Sequence, residues 1–246
     1  MFPITQTIIF ALGGGILPAV IWLMFWTQED YEHPEPWKRI FGAFALGALA
    51  VPVVLVIQLL FHKQLIGIES LESIISSSLL LGFGALLLWS IVEEALKYAA
   101  ANFAGISTKD GDEAIDVMVY MISAALGFAA LENVLYLFSP LLEGDTTAAI
   151  LTGNLRFIGS TLVHVASSAI FGYFIASSFF KHKRVKRLYF WIGLLVSTCL
   201  HALFNLFIIL SNEKTMIWSL VAIWIGSLIL FILFEKIKKV HLNKMQ

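Results

Sequence analysis

The chain of 246 residues is 59% hydrophobic and only 13% charged, with a mean hydropathy of +0.86, which excludes a soluble globule with a half-polar surface. A formal net charge of −1 excludes nucleic-acid binding through a basic surface, so no nucleic-acid partner is expected. The one cysteine, Cys199, excludes an intrachain disulfide.

Crossing a bilayer takes roughly 20 apolar residues per helix. Such stretches occur at 5–26, 40–61, 79–101, 115–138, 157–180, 189–210 and 216–234. They predict an all-α polytopic bundle of about seven transmembrane helices, with 1–246 as a single membrane domain because the loops are short. The first stretch has no Lys or Arg before it and no small-residue cleavage site after Trp26, so it is expected to remain as a helix. Between the spans, Glu29 to Glu35 and Ser139 to Asn154 read as the longest loops. The Ser-rich segment from Ile68 to Ser78, with Glu69 and Glu72, reads as an interfacial lead-in to the third span.

Lys and Arg accumulate on one side. Lys38, Arg39, Lys109, the run from Lys181 to Arg187 and the C-terminal tail supply twelve, against Lys63, Arg156 and Lys214 in the alternate segments. The positive-inside rule then predicts the N-terminus outside and the C-terminus in the cytoplasm. The absence of targeting signals fits a bacterial plasma membrane.

An ionisable group at the centre of a membrane helix costs roughly 2.5 to 3.5 kcal/mol and survives where it finds partners or lines a cavity. The third span carries Glu93, Glu94 and Lys97, the fourth Asp116 and Glu132, the fifth His164, and the sixth His201 and Asn205. Asp116 sits near the start of its span and reads as a helix N-terminal charge. Glu93 and Glu94 project about 100° apart, so Lys97 cannot readily serve both. His201 and Asn205, four residues apart, share a face. Glu93, Glu94, Glu132, His164 and His201 come from four spans and predict one shared polar interior.

Peptide hydrolysis needs an activated water and a site for the developing oxyanion. Two imidazoles and a carboxylate form a three-ligand zinc set, with a remaining glutamate as general base. The metal ligands are expected among Glu94, Glu132, His164 and His201, and the catalytic groups among Glu93, Glu94, Glu132 and Asn205. A metal-free version, in which a buried glutamate activates water and Asn205 with the histidines stabilises the oxyanion, fits the same residues.

Glu-Glu-Ala-Leu-Lys at 93–97, Phe-Ala-Ala-Leu-Glu-Asn at 128–133, His164 with Gly172 and Tyr173, and His201 with Phe204 and Asn205 stand in order along the chain. In these pieces, and in Pro18, Asp30, Glu35 and Pro36 before a Gly/Ala-rich second span, the sequence resembles the PrsW family of membrane proteases. That family is related more distantly to the CAAX prenyl-protease and bacteriocin-processing superfamily. The resemblance implies cleavage of a membrane-anchored protein, such as an anti-sigma factor during envelope stress. It aligns Glu93 and Glu94 with the essential acidic pair, Glu132 with the acidic residue of the second motif, and His164 and His201 with the two histidines. Glu132 stands where the wider superfamily usually has histidine, which favours PrsW over a prenyl protease. A proton- or ion-coupled transporter is the rival from another class, because buried Glu and His chains also relay protons. The absence of a fixed-period internal repeat and the odd span count speak against it. Straight spans put Glu132 and His164 in the outer half and Glu94 about 10 to 20 Å deeper, so a shared site requires tilt, displacement or a broken helix.

Overall fold

The protein is described from a computed structural model, which covers residues 3–28, 33–61, 74–76, 78–210 and 216–245. Most of the segment from Ile68 to Ser78, with Glu69 and Glu72, and Asp30 lie outside the described residues. Eight α-helices account for nearly all of the rest: α1 (Ile4–Thr27), α2 (Trp37–Phe61), α3 (Leu79–Ala101), α4 (Ala114–Glu143), α5 (Thr146–Leu155), α6 (Thr161–Ser177), α7 (Lys183–Leu210) and α8 (Met216–Met245). Two π-helical turns extend this set. Asn102–Ile106 continues α3, and Arg156–Ser160 joins α5 to α6. With α5 and α6 taken as one rod, six helices among the described residues are long and apolar enough to cross a membrane, and the seventh expected stretch is helical within α8.

Local chemistry sets the helix ends. The Ser78 hydroxyl accepts from the Leu81 N–H and starts α3. Asp116 does begin α4, as its position suggested: its carboxylate accepts from the Glu113 N–H at 2.6 Å in a capping box. The expected loop from Ser139 to Asn154 is instead mostly helix. Helix α4 runs on to Glu143, and only Gly144 and Asp145 separate it from α5. Gly144 adopts φ 83°, a left-handed turn that glycine takes without a Cβ penalty, and Asp145 caps α5 by accepting from the Ala148 N–H at 2.9 Å. Thr, Gly and Asn in that stretch read as loop formers, and tertiary packing overrides them.

Helix α4 is the central strut. Within its most apolar window 94% of residues are buried, against 22% in α1 and 33% in α2. Small residues allow the approach. A Cβ at Gly127 would overlap the Phe44 carbonyl of α2, and one at Gly47 would overlap the Ala124 carbonyl of α4. The outer helices α1, α2 and α7 keep Leu, Ile, Val and Phe exposed, the surface that lipid covers. Trp26 of α1 stacks on Phe231 at 4.8 Å, docking α8 against the bundle.

The difference in depth between Glu94 and His164 disappears in the fold. The π turn carries the α3 rod on to Ile106, so Glu94 sits about 18 Å from that end. His164 sits a similar distance, about 20 Å, from the end of α6 at Ser177. The two residues therefore meet.

Candidate active site

Four helices converge on one buried cluster, with Glu93, Glu94 and Lys97 from α3, Glu132 from α4, His164 from α6 and His201 from α7. Glu94 is fully enclosed and takes four donors. Lys97 Nζ at 2.8 Å, His201 Nδ1 at 2.9 Å and Ser167 Oγ at 2.9 Å converge on its Oε1, while Ser168 Oγ reaches Oε2 at 2.7 Å. A carboxylate so saturated is held rigidly, and it fixes the ring of His201 with Nδ1 towards itself.

His201 consequently turns Nε2 towards Glu93, 3.6 Å from Oε2. That oxygen is buried and has no hydrogen-bond partner among the described residues, while Oε1 accepts from Gln58 Nε2 at 3.3 Å. Lys97 ties the core together: its Nζ lies 2.8 Å from His164 Nδ1, 3.9 Å from Glu93 Oε2 and 4.6 Å above the Phe128 ring. On its other edge, His164 Nε2 meets Glu132 Oε2 at 2.8 Å. With Lys97 donating to Nδ1, the imidazole is neutral and its Nε2–H donates to Glu132.

One donor atom each from Glu93, His164 and His201 falls within 4.8 Å of the others. The fit to a metal can be judged on Glu93 and His201. Two ligands each about 2.0 Å from zinc at a tetrahedral angle stand about 3.3 Å apart, and the Nε2 to Oε2 separation of 3.6 Å is close to that. A buried carboxylate oxygen without a hydrogen bond is costly unless something charged completes it. Glu93 and His201 fit the group as they stand, and His164 fits once Nδ1 exchanges its bond to Lys97 for the metal.

Two cavities reach the cluster. One, of about 360 Å³, is walled by Leu86, Trp89, Ile208, Ile209 and Ile223 and carries Glu93, Glu132, Arg156, His164, His201 and Asn205. The other, of about 350 Å³, opens between α2 and α4 past Val51, Val54, Leu55 and Leu135. They share Gln58, Glu93, Glu132 and Tyr136. A larger apolar hollow of about 560 Å³ beside α1, lined by Phe10, Pro18, Leu141 and Ile150 among others, holds no titratable side chain and has no part in the chemistry.

All six residues singled out from sequence, Glu93, Glu94, Glu132, His164, His201 and Asn205, line the cavities or the cluster beneath them. Arg156 was counted with a loop, yet it bonds Glu132 directly at 2.6 Å. An arginine flanked by Leu155 and Phe157 beside an apolar run was the available signal.

The family described as PrsW family intramembrane metalloprotease matches residues 35–234. The chain belongs to the PrsW family. Among curated relatives, the Protease PrsW of Geobacillus kaustophilus (strain HTA426) is 26% identical over 204 residues, covering 82% of this chain and 81% of that one. The Protease PrsW of Clostridioides difficile (strain 630) is 26% identical over 233 residues, 94% of this chain and 88% of the relative, and that of Bacillus subtilis (strain 168) is 26% identical over 194 residues, 79% and 80%. No solved structure matches. This PrsW-family chain is thus an integral membrane protease, acting on protein in a lipid bilayer.

Proposed function

We propose that the chain is an intramembrane endopeptidase that cuts a membrane-anchored protein, of the anti-sigma-factor kind, at the junction of the two cavities beside Glu93. The observation that carries this reading is the buried Glu93 Oε2, without a hydrogen bond among the described residues, facing His201 Nε2 where two apolar-walled cavities share their lining. A cavity on each side of the reacting position suits a polypeptide that continues in both directions.

Glu93 and His201 would hold the metal, and His164 would join them only through Nδ1, with the metal in place of its bond to Lys97; zinc is the ion best suited to a two-imidazole, one-carboxylate set. Zinc in such a set lowers the pKa of a bound water to about 7. Glu94 orients His201, and Glu132 orients His164, so both carboxylates act behind the histidines. Lys97 balances charge within this buried group. Asn205, on the cavity wall with His201, offers an amide donor to the oxyanion of the attacked carbonyl. The basic segments lie in the cytoplasm and the N-terminus outside, in a bacterial plasma membrane.

The test uses purified protein in proteoliposomes with a single-pass reporter. Cleavage that a chelator abolishes, that zinc restores, and that Glu93→Gln lacks is the expected result. Cleavage indifferent to chelators would remove the metal from this reading and leave a glutamate as the base.

A further inference from the structure

Arg156 belongs to no motif described above, yet its guanidinium makes three different contacts at the mouth of the cluster. Nη2 donates to Glu132 Oε2 at 2.6 Å, Nε donates to Asn133 Oδ1 at 2.6 Å, and the guanidinium carbon lies 3.8 Å over the Tyr136 ring. Asn133 is itself anchored, donating to Thr161 Oγ1 at 3.1 Å. The side chain is 13% exposed, and Glu132 beside it is 23% exposed. Arg156, Gly159 and Ser160, all from the same π-helical turn, line the cavity above His164.

The turn explains how the arginine arrives there. In an unbroken α-helix, residues eight apart lie about 80° out of phase, which would swing Arg156 away from His164. A π turn absorbs one extra residue, so the pair behaves as if seven apart and differs by only about 20°. Arg156 and His164 then reach Glu132 Oε2 from the same face of the α5–α6 rod, at 2.6 and 2.8 Å.

We propose that Arg156 is the positioning residue of this site, fixing the Glu132 carboxylate, and through it the ring of His164, in the orientation that hydrolysis requires. It acts through Glu132 and does not touch the reacting atoms. A guanidinium is needed because one rigid plane must bond two side chains and stack on a third, which an ammonium cannot do. The inference rests on the proteolytic reading above, and the experiment separates the two: a wild type without activity would sink that reading, whereas the role of Arg156 is judged on variants of an active wild type.

In proteoliposomes with the single-pass reporter, Arg156→Ala should lower kcat by about 10- to 100-fold, the usual loss when an outer partner of a histidine is removed, with KM changed less than about threefold. Millimolar guanidinium chloride should restore part of the Ala variant's kcat, and ammonium chloride should not. Arg156→Lys should recover only a minor fraction, and Tyr136→Leu, which keeps the charge and loses the stack, should lower kcat more mildly. A kcat within twofold of wild type in Arg156→Ala, or a loss confined to KM, would overturn the proposal. Should Arg156→Ala fail to fold, Arg156→Lys decides alone, and full wild-type kcat there would overturn it.

Discussion

Glu93 and Glu94 are neighbours in sequence with opposite surroundings. Glu94 is saturated by Lys97, His201, Ser167 and Ser168, whereas Glu93 keeps one buried oxygen without a hydrogen bond among the described residues. Glu93→Gln should therefore lower cleavage by at least about 100-fold, beyond the 10- to 100-fold typical of a ligand's outer partners, while leaving the thermal midpoint near wild type, as measured by fluorescence in detergent. Lys97→Met should act differently, because it strands Glu94 in a fully enclosed position. Breaking one partner out of a buried pair costs about 3–5 kcal/mol, and a drop in thermal midpoint should accompany any loss of activity. Near the N-terminal end of α4, burial pushes the carboxyl of Glu35 above the usual carboxylate range, and Tyr120 hydrogen-bonds it. A raised carboxyl favours the folded state below its unfolded pKa, and that contribution is lost as pH rises through the folded value. Glu35→Gln should flatten this part of the pH dependence of the midpoint and raise stability at neutral pH.

At the scale of elements, α2 and α4 meet where neither has room for a side chain. Gly127→Ala would drive a Cβ into the Phe44 carbonyl, a backbone atom with no rotamer to move, so the cost should reach about 3 kcal/mol, the upper end for overpacking. Reduced yield and a lower melting temperature in detergent would register it, and an unchanged midpoint would contradict the packing described. The convergence of the candidate residues was legible in the sequence because each is a polar group inside an apolar run, and helical spacing gave their faces. The division of labour between Glu93 and Glu94 was not legible. It depends on how α3 is rotated against Ser167 and Ser168 of α6, which spacing along one helix does not encode. Arg156 was hidden for another reason: a π insertion has no composition of its own, and the stretch before it, with Gly144, Asp145 and Asn154, imitates a loop.

Across the whole molecule, α4 forms the buried axis, and the other spans combine lipid-facing apolar surface with inward polar groups. Twelve Lys and Arg in one set of segments against three in the other give the proposed orientation. With Cys199 replaced by serine, a cysteine added at the C-terminus should resist an impermeant maleimide in intact cells and react after lysis; labelling of intact cells would reverse the topology. This polar core is proposed to cut membrane-anchored protein. The most direct measurement compares new protein N-termini in membranes of cells expressing wild type with those expressing Glu93→Gln at equal levels. A terminus present only with wild type, beside a single membrane anchor, is the expected result. The same set of termini from both, under envelope stress as well as at rest, would contradict it.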